Sequence, residues 1–86
     1  MAVREVSART SWGQVLRLKL EITRTQPHEL SIRAQSSDGL FGSATRLHEN
    51  EADRWLRDLS VHHFGTDWFP LHIVRLEAPL NLADIN

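Results

Sequence analysis

Residues Asn50 to Phe64 (NEADRWLRDLSVHHF) carry the one strongly helical pattern in this 86-residue chain, and the segments flanking it alternate like strands shaped to receive its apolar stripe. Asn50 is a good N-cap, because its side-chain oxygen can accept from the free backbone N–H of Asp53. Asp53 can reach back as in a capping box, and Glu51 adds negative charge where the helix dipole favours it. Ala52, Trp55, Leu56 and Leu59 recur at three- and four-residue spacing, with Arg54, Arg57 and Asp58 on the other side. Gly65 suits the position just past the helix, and His62 and His63 fall in its last turn. About fourteen residues at ~1.5 Å each give roughly 20 Å, enough to cross a four-stranded sheet. The pattern predicts a covering helix with Trp55 as a core anchor.

The strands it would cover are legible from their period of two. Leu16, Leu18, Leu20 and Ile22 face one way, and Arg17, Lys19, Glu21 and Thr23 the other. Leu30, Ile32 and Ala34 repeat the pattern against Glu29, Ser31, Arg33 and Gln35. Asp38-Gly39 is a strong hairpin signal; as a two-residue type I′ loop it places Ile32 opposite Thr45 and Leu30 opposite Leu47. A three-residue turn over Thr25–Pro27 would set Ile22 opposite Leu30 and Lys19 opposite Arg33. Both turns put the aliphatic residues on one inner face. Residues 1–12 are ambiguous, Leu71 to Leu76 read as a closing strand whose buried face is undecided between Ile73 and Val74, and Leu80, Leu82 and Ile85 form an apolar tail. The expected fold is α+β: one domain over residues 1–86, an antiparallel β-meander of about four strands with one helix packed on one face, in the order β-β-β-α-β.

Composition narrows the function. The absence of cysteine removes disulfide, thiolate-metal and thiol redox chemistry. A net charge of −1 argues against a general nucleic-acid binder, and no direct sequence-specific contact with nucleic acid is expected. No stretch is long and apolar enough to span a membrane, and MAVREVSART has no hydrophobic signal core, so a cytoplasmic protein is expected. His62 and His63, adjacent on a helix, would point about 100° apart and could not share a metal ion. A discontinuous site from His48, His63 and His72 is the one histidine-centred arrangement to weigh, against solvated or half-buried rings. Ser11, Ser43 and Ser60 lack a nucleophile-elbow context, and Gly39 and Gly42 do not form a phosphate loop. No catalytic residue, metal ligand or cofactor is predicted.

Binding surfaces are the better prospect. Arg17, Lys19, Arg33 and Arg46 would converge on the outer sheet face, where Lys19 against Arg33 would be an unfavourable like-charge pair that an acidic partner relieves. Trp68 and Phe69, in a loop before a proline, form a second candidate patch, and Trp12 is a third aromatic candidate. The bland alternative is a solvated face of mixed charge with the aromatic residues in the core.

The segments SSDGLFGSATRL and NEADRWLRDL, a meander turn followed by a single helix, resemble small bacterial and phage inhibitor proteins of the anti-CRISPR and toxin-immunity type. The resemblance is architectural and implies inhibition by stoichiometric binding, with no functional residue carried over. The expected function is therefore a non-enzymatic inhibitor that binds and blocks a larger target, a protein or a nucleoprotein complex. A homodimerising structural or assembly domain is the alternative, and a small enzyme with a histidine-centred site ranks below both.

Overall fold

In a computed structural model of the chain, the described residues are 1–65, 68, 70–78 and 80. The alternation of β2 (Val15–Gln26) sets the architecture: Leu16, Leu18, Leu20 and Ile22 are buried and the residues between them face outward. β3 (Glu29–Ser36) answers with buried Leu30, Ile32 and Ala34, paired so that Ile22 meets Ile32 and Leu20 meets Ala34. β4 (Phe41–His48) pairs Leu47 with Leu30, Thr45 with Ile32 and Ser43 with Ala34. The ambiguous N-terminal segment is a full strand, β1 (Ala2–Arg9), paired with β2 from Ala2–Ile22 to Arg9–Val15. After helix α1 (Glu49–Arg57) come β5 (Asp58–His63) and β6 (Leu71–Leu76), an antiparallel pair.

These six strands close in sequence order into an antiparallel barrel. The expected α+β fold, an open four-strand meander with a helix laid on one face, is thus corrected. Two short seams make the difference. β4 meets β5 only through Phe41–His63 and Gly42–His62, and β1 meets β6 only through Ala8–Leu76 and Arg9–Arg75. The Glu77 N–H adds a hydrogen bond to the Ser7 carbonyl at 2.9 Å. The interior is filled by aliphatic side chains of β2 and β3 with Phe41, Leu59, Val61 and Val74, so the barrel encloses a packed core.

The central error of the sequence reading lies in the residues after Arg57. Leu59 fits two periods: it stands three residues after Leu56 on a helix and two before Val61 on a strand. Only the second puts Leu59, Val61 and His63 on one side, and Leu59 and Val61 are both fully buried. Pairing with β6 from Asp58–Arg75 to His62–Leu71 supplies the strand's hydrogen bonds and overrides helical periodicity. The helix therefore spans nine residues, roughly 14 Å. Its N-cap is His48 rather than Asn50, with the His48 Nδ1 accepting from the Asn50 N–H at 3.1 Å. Gly65 belongs to the β5–β6 loop.

The helix fills the space where β4 and β5 part. It buries Ala52 and Leu56, while Trp55 is half-buried with Leu47, Val6 and Leu80 around the core's rim. Leu80 thus packs on the core, whereas the expected tail residues Leu82 and Ile85 lie outside the described residues. A polar staple holds the helix start to the β2–β3 turn. The Glu49 carboxylate accepts from Arg24 at 2.7 Å and from His28 Nδ1–H at 2.9 Å, and the Glu49 N–H donates to the His28 carbonyl at 2.9 Å. The Arg24 hydrogen bond, then that of His28, holds the Glu49 pKa down to about 2 from an ordinary 4.5.

Candidate binding surface at the barrel mouth

A meander barrel gathers alternate hairpin loops at one end. Here the β1–β2 loop (residues 10–14), the β3–β4 loop (37–40) and the described residues of the β5–β6 loop (64, 65, 68 and 70) share the end opposite the helix. Thr10 and Gln14 exchange hydrogen bonds, with the Gln14 N–H donating to Thr10 Oγ1 and the Thr10 N–H to the Gln14 carbonyl, both at 2.9 Å. Trp12 Nε1–H donates to Gln14 Oε1 at 3.0 Å, which orients the indole.

In the β3–β4 loop the Gly39 N–H donates to the Ser36 carbonyl at 3.0 Å, so the turn is centred on Ser37-Asp38, with Gly39 beyond it at φ +76°. The expected two-residue loop on Asp38-Gly39 is one residue out of place, yet the strand register is the one it implied. The Asp38 carboxylate accepts from the Ser36 hydroxyl at 2.6 Å and the Leu40 N–H at 3.0 Å; these bonds, the first foremost, hold its pKa below the ordinary value. The third loop is joined to the second, because the Phe64 N–H donates to the Leu40 carbonyl at 2.6 Å.

At this end Trp12 of the β1–β2 loop joins Phe41, His63 and His72 of the strands in a cluster of four rings. His63 stacks flat on Phe41, with centroids 4.5 Å apart and planes 10° apart. Trp12 meets His72 edge-on at 4.8 Å, and the two imidazoles are 6.1 Å apart. Trp12 is 51% exposed, and on the other two loops Leu40 is 43% and Trp68 78% exposed. These large apolar side chains, on three loops at one end of the barrel, make this end the candidate surface.

The sequence-predicted residues divide sharply. Trp68 is at the mouth; Phe69 lies outside the described residues. Arg17, Lys19, Arg33 and Arg46 do face outward, from β2, β3 and β4. The like-charge pair inferred for them does not form. The β2–β3 loop is shorter than expected, with Gln26 paired to Glu29 and a bulge between Arg24 and Gln26, so Lys19 lies opposite Gln35 and Arg33 opposite Glu21. Lys19 is 3.6 Å from Glu21, Arg17 4.0 Å from Glu5 and Arg46 3.5 Å from Glu29. These exposed pairs contribute little stability but leave the wall electrically mixed. Arg17 and Lys19 also line a recess of about 320 Å³ with Glu5, Gln35 and Ser37.

The histidines separate as well. His63 and His72 share the ring cluster, while His48 stacks on His28 at 5.9 Å beside the helix start, so His48, His63 and His72 do not converge. Among the described residues no group of three or more His, Cys, Asp or Glu side chains is placed to hold a metal ion. Asp58 meets Arg75 at 3.3 Å.

Sequence reasoning passed over Leu40, Phe64, Leu71 and Ile73, all at least 43% exposed. The available signal was the Ile73-Val74 adjacency. Val74 fills the core, and its neighbour must then point outward. No protein-family model, curated protein or solved structure matches the chain.

Proposed function

We propose that this chain is a non-enzymatic protein-binding domain that engages its partner through the mouth of the barrel, with Trp12, Leu40 and Trp68 as contact residues. The observation that carries this reading is their joint exposure on three loops at one end of the barrel, two of them joined by the Phe64–Leu40 hydrogen bond, beside the packed rings of Phe41, His63 and His72. Loops fixed on a sheet scaffold are where binding residues concentrate, and tryptophan is the residue most enriched among binding hot spots. A filled interior offers no chamber for a substrate, whereas a firm apolar rim suits the surface of another protein.

Such a domain works by occupancy, blocking whatever its partner presents there. That is the mode of the inhibitor and immunity proteins the sequence resembles. The resemblance was drawn on an open meander that the chain does not form, so the proposal rests on the mouth alone. The cations Arg17, Lys19, Arg33 and Arg46, each faced by a carboxylate, are given no part in it.

The test pairs capture with titration. A partner is captured by cross-linking to the wild-type chain and purified. Its affinity is then measured for wild type and for Trp68→Ser and Trp12→Ser, after thermal melts show both variants folded. Binding weakened about tenfold or more in either variant is expected of a hot-spot tryptophan. Equal affinity in both folded variants would refute the mouth as the contact surface.

A further inference from the structure

The seam between β1 and β6 sets Arg9 directly opposite Arg75. Both side chains face outward, and Asp58 lies on the other side of Arg75, so the row across three strands reads Asp58–Arg75–Arg9. Like charges directly opposite one another are unfavourable in a sheet. Within the chain this repulsion is relieved only in part. Arg75 gives its Nε–H to Asp58 at 3.3 Å, a contact in which its two Nη groups take no part. Arg9 lies 3.8 Å from Glu77, beyond hydrogen-bond reach, and makes one long bond of 3.4 Å to the Gly13 carbonyl.

The two guanidiniums border a recess of about 560 Å³, a size that suits a small ligand. Ser11 adds a hydroxyl to the lining, whereas the Thr10 hydroxyl there is engaged with Gln14. Ile73 and Leu76 supply the apolar part. Ile73 stands two residues before Arg75 on the same face of β6, about 7 Å along the strand. It is 57% exposed, on the outward side of a barrel where polar residues are the rule. The recess therefore offers directed N–H donors at one end and an uncovered apolar side chain at the other.

We propose that this recess binds a small phosphate monoester, its phosphate between Arg9 and Arg75 and its organic body over Ile73. A phosphate monoester is close to doubly charged at neutral pH and has enough acceptor oxygens to bridge two guanidiniums, where a carboxylate is matched to one. Asp58 and Glu77 cancel the formal charge of the lining, so the ligand is held by directed donors rather than by net charge, and its affinity is modest. The same balance means that removing a carboxylate strengthens the site. The site is independent of the contact residues assigned to the mouth.

The probe is phenyl phosphate, titrated into the whole chain at neutral pH and constant ionic strength and followed by proton–nitrogen correlation spectra. Saturable shifts are expected at Ser11, Ile73, Arg75 and Leu76, with a millimolar Kd. Inorganic phosphate and benzoate should each bind several-fold more weakly, the first for want of a body and the second for want of charge. Arg9→Gln and Arg75→Gln, at exposed positions, should keep the wild-type melting temperature and weaken phenyl phosphate by about fivefold or more. Glu77→Gln should tighten it, and Ile73→Ser should reduce it to the level of inorganic phosphate. Trp68→Ser should bind as wild type does, which separates this site from the mouth. Shifts that do not saturate overturn the inference and leave the mouth reading standing. Affinity unchanged in both Arg9→Gln and Arg75→Gln overturns it too, by placing the anion elsewhere.

Discussion

Single residues in this chain divide by whether a barrel wall or a helix owns them, and Leu59 and Trp55 show the consequence. A helix over residues 50–64 would make Trp55 the anchor and its truncation the most damaging change. In the barrel, Leu59 is fully buried and Trp55 sits half-buried at the rim. Leu59→Ala should cost about 2–5 kcal/mol, as for deletion of a buried leucine with a residual cavity, and Trp55→Ala clearly less than the 3–5 kcal/mol typical of buried aromatics. Urea denaturation of the two variants gives the order directly. A larger loss for Trp55→Ala would return the helix face to the centre of the core.

Elements are joined here by few but specific contacts, and the staple at the helix start is the clearest. The Glu49 pKa, about 2 in the fold, lies below its ordinary 4.5. A depressed carboxyl pKa means that the folded state binds fewer protons than the unfolded chain, so the staple's contribution is fully present above about pH 4.5. It is lost as pH falls from there toward about 2. Glu49→Gln should lower the melting temperature at neutral pH and flatten the acid limb of the wild-type pH profile over that window. Thermal melts at half-unit pH intervals would show it; parallel acid limbs in both proteins would mean that Arg24 and His28 do not hold the helix. The other inter-element lesson concerns α1 and β5, where a sequence with one helical stripe is divided between two elements at Arg57–Asp58.

For the molecule as a whole, closure depends on two seams of two residue pairs each, while β1–β2 and β2–β3 pair along most of their length. Local opening follows the weakest contiguous hydrogen bonding. Native-state hydrogen exchange should therefore show the lowest opening free energies at the seams, around Ala8, Arg9, Gly42 and His62. The highest should fall in β2 and β3, around Leu20, Ile22 and Ile32. Uniform protection around the barrel would show that closure and core form one cooperative unit.

Much of this was written in local pattern. The period-two runs from Leu16 to Ile22 and from Leu30 to Ala34 determine two core strands and their inner face, because consecutive side chains on a strand must alternate. The Leu30–Leu47 register follows from the turn near Asp38-Gly39, even though the turn itself is centred one residue earlier. Loop position left Trp68 open between a core anchor and an exposed residue; in the fold it is 78% exposed. What the chain could not show by itself was decided between distant segments. β1 is a strand because β2 offers its whole edge, not because AVREVSAR alternates cleanly. Asp58–His63 is a strand because β6 supplies its hydrogen bonds and the core takes Leu59 and Val61. The pairing of Lys19 with Gln35, and of Arg33 with Glu21, turned on a bulge near Thr25 that no propensity specifies. The exposure of Phe64, Leu71 and Ile73 exists only once the barrel closes. Closure sends Val74 inward, and the pleat then leaves Ile73 and Leu71 on the outside.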